Sequence, residues 1–281
     1  MDHFKTEEAI SKYNNSPQEK LSGLSPSQTH ELIHNPLGEN SCIKFSSHIT
    51  NEILDQIPFF RTAEELLKII KRDGFLKVTP HGALPKKILV ELYDFNFITD
   101  EHIASGINKL YREDECISLK TARIVCESTN LVKKSKGKLL LTKNGERCLK
   151  AENRVELFKV IYLIFTEKFN WAYIDGYTKE PVGQYGCLFS IYLLKIFGDK
   201  ENATSFYASK YLQVFEKFLT LFNDDYVSPE KQFNSCYTVR TFERFTEWFG
   251  FTTINGMKNF YDQENAKIVK TELLDKIFVF E

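Results

Sequence analysis

Apolar residues return at helical spacing in several separate stretches of this chain, and short alternating runs interrupt them. The first fifty residues are polar and broken by Pro and Gly. Within them Ser25-Pro26 predicts a helix start that runs to about His34, before Asn35-Pro36 and Gly38 end it. A short element follows at Thr50–Gln56. From Arg61, the spacing of Ala63, Leu66, Leu67, Ile69 and Ile70 predicts a helix stopped by Gly74. FLKVT then reads as a strand, His81-Gly82 as a turn, and Leu84-Pro85 as the start of a helix carrying Ile88, Leu89, Leu92 and Tyr93. A further helix, roughly Asp100 to Tyr111, leads to SLKTARIVCESTNLVKKSKGKLLLTKNGERCLK, residues 118–150. There an apolar-periodic helix, a Gly-centred basic hairpin and another helix follow in the order of a winged helix.

LKVTPHGALPKKIL (76–89) and LLLTKNGERCLKAE (139–152) share a frame of short apolar strand, Thr, two residues, Gly and helix. At the C-terminus FTTIN and AKIVKT are expected to pair, with TELLDKIF as the helix after them. The pattern suggests three helix–wing–helix repeats. Between the second and third, Arg154–Asn170, Val182–Phe197, Ala203–Phe222 and Ser235–Phe249 are apolar on most faces and rich in aromatics. Such helices must be covered by others, so a bundle is expected, centred on Val182–Phe197. Aromatics at spacings of three and four serve a bundle core, with a peptide groove as the other reading. The expected fold class is mainly α with short β-hairpins, as winged-helix-like repeats plus a helical bundle. The expected divisions are a polar segment (1–57), a tandem winged-helix region (58–152) and the bundle with its third hairpin (153–281).

Composition narrows the classes. With 42% apolar and 27% charged residues the chain reads as soluble and globular, and 37 basic against 38 acidic residues give net −1, so no general polyanion-binding field surrounds it. The six scattered cysteines form no Cys-x-x-Cys and read as reduced, buried thiols of a cytoplasmic protein. MDHFKTEEAISKYNN lacks the apolar core of a secretory signal. Val155–Phe165 and Leu188–Phe197 are too short to span a bilayer, so no membrane partner is expected.

The hairpin is where charge concentrates. Seven cations in residues 131–150 (Lys133, Lys134, Lys136, Lys138, Lys143, Arg147 and Lys150) face the single acid Glu146, a net +6. Flexible cations on a rigid turn suit phosphate, so duplex DNA is one expected partner, with Lys120 and Arg123 on the preceding helix added to the candidate set. That helix offers Lys120, Thr121, Arg123, Glu127, Ser128 and Asn130, a poor base-reading row. A lysine-rich tip is also the ordinary make-up of a solvated turn. His30-Glu31-Leu32-Ile33-His34 matches the zinc-peptidase pattern in letters, with His30 and His34 as metal candidates and Glu31 as base. Its helix is short, and the downstream third histidine is missing, which favours a chance match. Asp224-Asp225 reads as a solvated turn. No phosphate loop, nucleophile elbow or Cys–His pair appears, so no catalytic residue and no cofactor is expected.

LSGLSPSQTHELIHNPLGENS (21–41), LKVTPHGALPKKILVELY (76–93), LVKKSKGKLLLTKNGERCL (131–149), KFNWAYIDGY (168–177), RTFERFTEWFGF (240–251) and KTELLDKIF (270–278) carry a resemblance. The chain resembles a group of uncharacterised bacterial plasmid- and transposon-associated proteins, in the region found beside plasmid open-reading-frame-three-like domains. It departs from that pattern at Ala83, where Asn is expected. The resemblance implies a helical, winged-helix-containing protein without assigned activity. Two functions are therefore expected in turn: a nucleic-acid-binding accessory factor using the basic wing, or a non-enzymatic protein-interaction scaffold, with the zinc peptidase as a distant third.

Overall fold

The computed structural model describes residues 2–223, 226–256 and 266–281, and shows a mainly helical chain with three small antiparallel sheets. It forms two compact units, Ile49–Asp175 and a second that joins Met1–His48 to Gly176–Glu281. In chain order α1 (Asp2–Asn15), α2 (Pro26–His34) and β1 (Ile43–Phe45) belong to the second unit. The first unit contains α3 (Asn51–Leu54), α4 (Pro58–Asp73), β2 (Leu76–Lys77), α5 (Lys86–Tyr93) and α6 (Glu101–Ala104). It continues with α7 (Ile117–Ser128), β3 (Val132–Ser135), β4 (Lys138–Leu141), α8 (Lys143–Cys148) and α9 (Arg154–Leu163). The second unit resumes with α10 (Cys187–Phe197), β5 (Asn202–Ala203), α11 (Thr204–Val214) and α12 (Pro229–Tyr237). Strands β6 (Thr252–Asn255) and β7 (Lys267–Lys270), helix α13 (Glu272–Ile277) and β8 (Phe278–Phe280) complete it.

In the first unit α4 starts at Pro58 and buries Phe59, Phe60, Ala63, Leu66, Leu67 and Ile70. Leu89 of α5 and Leu119, Ala122, Val125 and Cys126 of α7 close over that face. Lys136 and Gly137 connect β3 to β4 with φ of 47° and 70°, the positive pair that suits a two-residue hairpin turn. Strand order is β2-β4-β3, with Leu76 opposite Leu139 and Lys77 opposite Lys138. Helix, strand, two helices and hairpin in that arrangement make one winged helix, with α7 as its third helix. The tandem pair expected over 58–152 is thus a single module. Its two Thr-Gly frames begin on neighbouring strands of one sheet, alike in that each threonine hydroxyl accepts a backbone N–H just past its strand. Thr79 Oγ1 accepts from the Ala83 N–H (3.1 Å) and Thr142 Oγ1 from the Gly145 N–H (3.1 Å).

An ion network ties the end of this module to its start. Arg154 donates to Glu64 (2.7 and 3.0 Å) and to Asp55 (2.9 Å), and Lys68 adds 3.1 Å to Glu64, whose side chain is 1% exposed. A carboxylate that buried must be paired, so α9 is held to α4. The boundary expected at 152 falls inside this unit.

The block expected as a bundle contains the same arrangement again. Strands β6 and β7 pair over four residues, and order β5-β7-β6 repeats β2-β4-β3 in both sequence and register, with Asn202 opposite Ile268 and Ala203 opposite Lys267. Here α10 stands for α4, α11 for α5, and α12 for α7, the last continuing as a π-helical segment, Thr238–Thr246. The correspondence extends to single atoms. Thr142 N–H donates to the Leu131 carbonyl (2.9 Å) and its hydroxyl to Asn130 (2.8 Å); Thr271 N–H donates to Phe251 (2.9 Å) and its hydroxyl to Gly250 (2.6 Å). Each pair of acceptors sits just ahead of the hairpin's first strand. The polar N-terminal segment is part of this unit: β1 pairs with β8, and Leu24, Leu32 and Ile43 are buried.

Each threonine also caps the helix after its strand, Thr142 through Gly145 and Thr271 through the Leu273 N–H (3.2 Å). Thr142→Val and Thr271→Val should each cost about 1–2 kcal/mol. Denaturant unfolding followed by the tryptophan of the affected unit, Trp171 or Trp248, measures the loss, each read in a background where the other is Phe.

Candidate nucleic-acid interface

Helix α7 turns its buried face to α4 and α5, so its outer face is limited to Ile117, Lys120, Arg123, Ile124, Glu127 and Ser128. Thr121 is fully buried. The cations on that face are occupied. Arg123, 12% exposed, donates two hydrogen bonds to Glu113 (2.7 and 2.9 Å) and one to Glu127 (2.8 Å). Glu113 also accepts from the Leu84 N–H (3.1 Å), so the pair clamps α7 to the turn before α5. Burial opposes the Arg123 charge, yet the two carboxylates outweigh it and hold the guanidinium more basic than usual. Lys120 donates to Asp114 (2.7 Å), and its Nζ lies 5.2 Å from the Tyr173 ring centre.

The hairpin differs. Antiparallel pairing places Lys77, Lys138 and Lys133 on one face of the sheet and Leu76, Leu139 and Lys134 on the other, against α7. Lys134 accordingly reaches Glu127 (3.1 Å). On the outer face Lys138 holds its ammonium 3.8 Å over the ring of Phe75, which is 41% exposed. Lys133, Lys136 and Lys143 are exposed, with no ion pair among the described residues. Arg147 forms a two-pronged pair with Glu156 and also binds Asn144. Of the eight candidate residues, then, Lys120, Arg123, Lys134 and Arg147 are in ion pairs, Lys138 lies on an aromatic ring, and Lys133, Lys136 and Lys143 stand open. Sequence reasoning missed Lys77 and Phe75. Their placement depends on which strand pairs with β2, and a two-residue strand carries no pattern that reveals it.

The counterpart of α7 in the second unit is buried through its middle. Every residue from Cys236 through Phe242 is enclosed, and Arg240, 1% exposed, donates to the carbonyls of Glu180 and Thr178 (2.7 Å each). That stretch has no open face, whereas Glu230 and Lys231 at the start of α12 are exposed.

Helix α2 buries Thr29 and Leu32 and exposes His30 and His34, whose ring centres lie 4.5 Å apart. Glu31 sits 4.0 Å from His30 and accepts from the Asn35 amide (3.3 Å). Among the described residues no cluster of three or more His, Cys, Asp or Glu side chains forms. Asp224-Asp225 lies outside the described residues. No helix among those described is long and apolar enough to cross a membrane.

The first unit is thus a winged-helix module whose third helix is neutralised and whose wing is cationic. Residues 55–154 match the family model for the Y4jL N-terminal domain, a family of uncharacterised proteins, and the matched span lies wholly within that unit. No curated protein and no solved structure matches the chain.

Glu113→Gln removes the charge that compensates Arg123, and a loss of about 2–3 kcal/mol is expected, read from the denaturant midpoint. The Arg147 hydrogen bonds hold the Glu156 carboxyl below its usual range. A depressed folded value stabilises above the unfolded pKa, about 4.3, and the contribution disappears as pH falls through the folded value. Glu156→Gln should therefore be less stable than the parent at pH near 7, with the gap closing on acidification in parallel thermal melts.

Proposed function

We propose that this chain is a nucleic-acid-binding accessory protein that holds the phosphate backbone with the wing of residues 132–141, leaving α7 to structure. The carrying observation is a contrast inside one module. The cations of α7 are spent on Glu113, Glu127 and Asp114, while Lys133, Lys136 and Lys143 are open and join Lys77 and Lys138 around the hairpin. Lysines without Asn, Gln or Arg partners contact phosphates and leave base edges unread, so the binding is sequence-tolerant. With net charge −1 the attraction is local and strongly salt-dependent. A bacterial cytoplasm and the mobile-element setting implied by the resemblance belong to this proposal, as does a role without catalysis or cofactor. The enclosed stretch of residues 236–242 in the third helix of the second unit favours one other reading, a protein-interaction scaffold in which that winged fold serves packing.

The test is fluorescence anisotropy with a short DNA duplex at rising salt. Three to four phosphate contacts should give a slope of log affinity against log salt of about −2.7 to −3.6, roughly a 40- to 150-fold loss between about 50 and 200 mM. Changing Lys133, Lys136, Lys138 and Lys143 to Glu should weaken binding by more than about tenfold and flatten that slope. Unchanged affinity in this variant would overturn the wing as the contact surface.

A further inference from the structure

We propose that the groove between the wing and the turn ahead of α5 is a seat for a phosphate group, supplied by the nucleic acid that the wing holds. The inference rests on the wing reading above. The groove measures about 550 Å³, and Lys77, Thr79, His81, Gly82, Lys134 and Gly137 contribute to its walls, which contain no acidic residue. Its chemistry is one-sided. The backbone carbonyls of Gly137 and Thr79 are already used, accepting from the N–H groups of Val78 (3.0 Å) and Gly82 (2.8 Å). Thr79 Oγ1 accepts from the Ala83 N–H (3.1 Å), and no acceptor takes its own hydrogen among the described residues. The donors its walls offer are the Thr79 hydroxyl, the His81 ring and the Lys134 ammonium.

The backbone makes room for one of these donors. Gly82 has φ +82°, and a Cβ there would stand 3.0 Å from Lys134 Nζ, so the ammonium lies directly over the glycine. Glu127, outside the groove wall, makes one hydrogen bond to that ammonium (3.1 Å), which leaves further N–H groups to donate. Donors from a strand and a turn, with no carboxylate in the walls, fit a compact anion with oxygens on several sides. A phosphate fits better than a carboxylate, whose two oxygens lie in one plane. The open groove admits a phosphate that is still part of a chain.

The test combines two readouts on the full chain. In the first, inorganic phosphate is titrated while the His81 ring signals are followed by NMR. A saturable shift that weakens by about tenfold or more in Lys134→Gln, which keeps the His81 probe, supports the pocket; the triple variant Lys77→Gln, His81→Ala, Lys134→Gln serves the second readout. In the second, duplex anisotropy should show the triple variant binding about tenfold or more weakly, with a salt slope smaller by about one unit per lost phosphate. All three side chains are exposed, so the fold should persist, and Trp171 fluorescence checks it. Glu127→Gln, which releases Lys134 and leaves Arg123 on Glu113, should tighten duplex binding two- to threefold. Equal duplex binding by parent and triple variant, with no His81 shift in phosphate, overturns the pocket and leaves the wing reading standing. A His81 shift in a parent protein that binds no duplex keeps the phosphate seat and overturns nucleic acid as its source. Stronger capture of an oligoglutamate peptide than of the duplex overturns phosphate as the ligand class.

Discussion

A two-residue strand cannot hold itself in place, and both units of this protein depend on one. Strands β2 and β5 are each secured along one edge only, by the second strand of a hairpin, so the position of that central strand decides everything attached to it. One threonine settles it. Thr142 and Thr271 stand where the central strand ends, and each ties its N–H and its hydroxyl to the two carbonyls just ahead of the hairpin's first strand. The same hydroxyl oxygen accepts an N–H of the following helix, so sheet closure and helix start share one side chain. The base of the wing is therefore rigid, and the lysines beyond it project from a fixed hairpin.

The two third helices show how one fold can be diverted from reading DNA. Each carries one arginine that is turned inward. Arg123 meets two carboxylates and Arg240 meets two backbone carbonyls. A buried guanidinium without such partners would cost several kcal/mol, so these contacts are conditions of folding and the side chains are not available to bases. The positive charge left for a ligand is then the charge that folding did not consume, and Lys133 and Lys136 on the wing are part of it.

Much of this was legible in the chain and part of it was not. Helical periodicity located α4, α5 and α7, the Gly-centred hairpin located the wing, and TTIN with KIVK located the second hairpin. The likeness of 76–89 to 139–152 was also real, but it reflected equal local chemistry in adjacent strands and not a repeated domain. The larger repeat, α4 to α8 against α10 to α13, was obscured because its hairpins differ in length and its third helices differ in exposure. Ion pairing was equally hidden. Arg123 finds Glu113 ten residues back and Arg147 finds Glu156 nine residues on, separations with no helical periodicity. So two of the seven cations in the cluster that reads as open from composition, Lys134 and Arg147, are neutralised by folding, as are Lys120 and Arg123 on the helix before it.

The matched family span begins and ends on residues that touch. Asp55 and Arg154 are joined at 2.9 Å, and Arg154 also supplies the charge that Glu64 requires inside α4. Truncation before Arg154 would leave Glu64, 1% exposed, to Lys68 and the more distant Arg61, so the module needs the start of α9 for its own stability. This is a physical reason for the unit to extend past its last strand and helix. A module closed in this way can present its wing without recruiting that charge from elsewhere. With a nearly neutral chain behind it, the field of the wing reaches over about one Debye length, roughly 10 Å at 0.1 M salt.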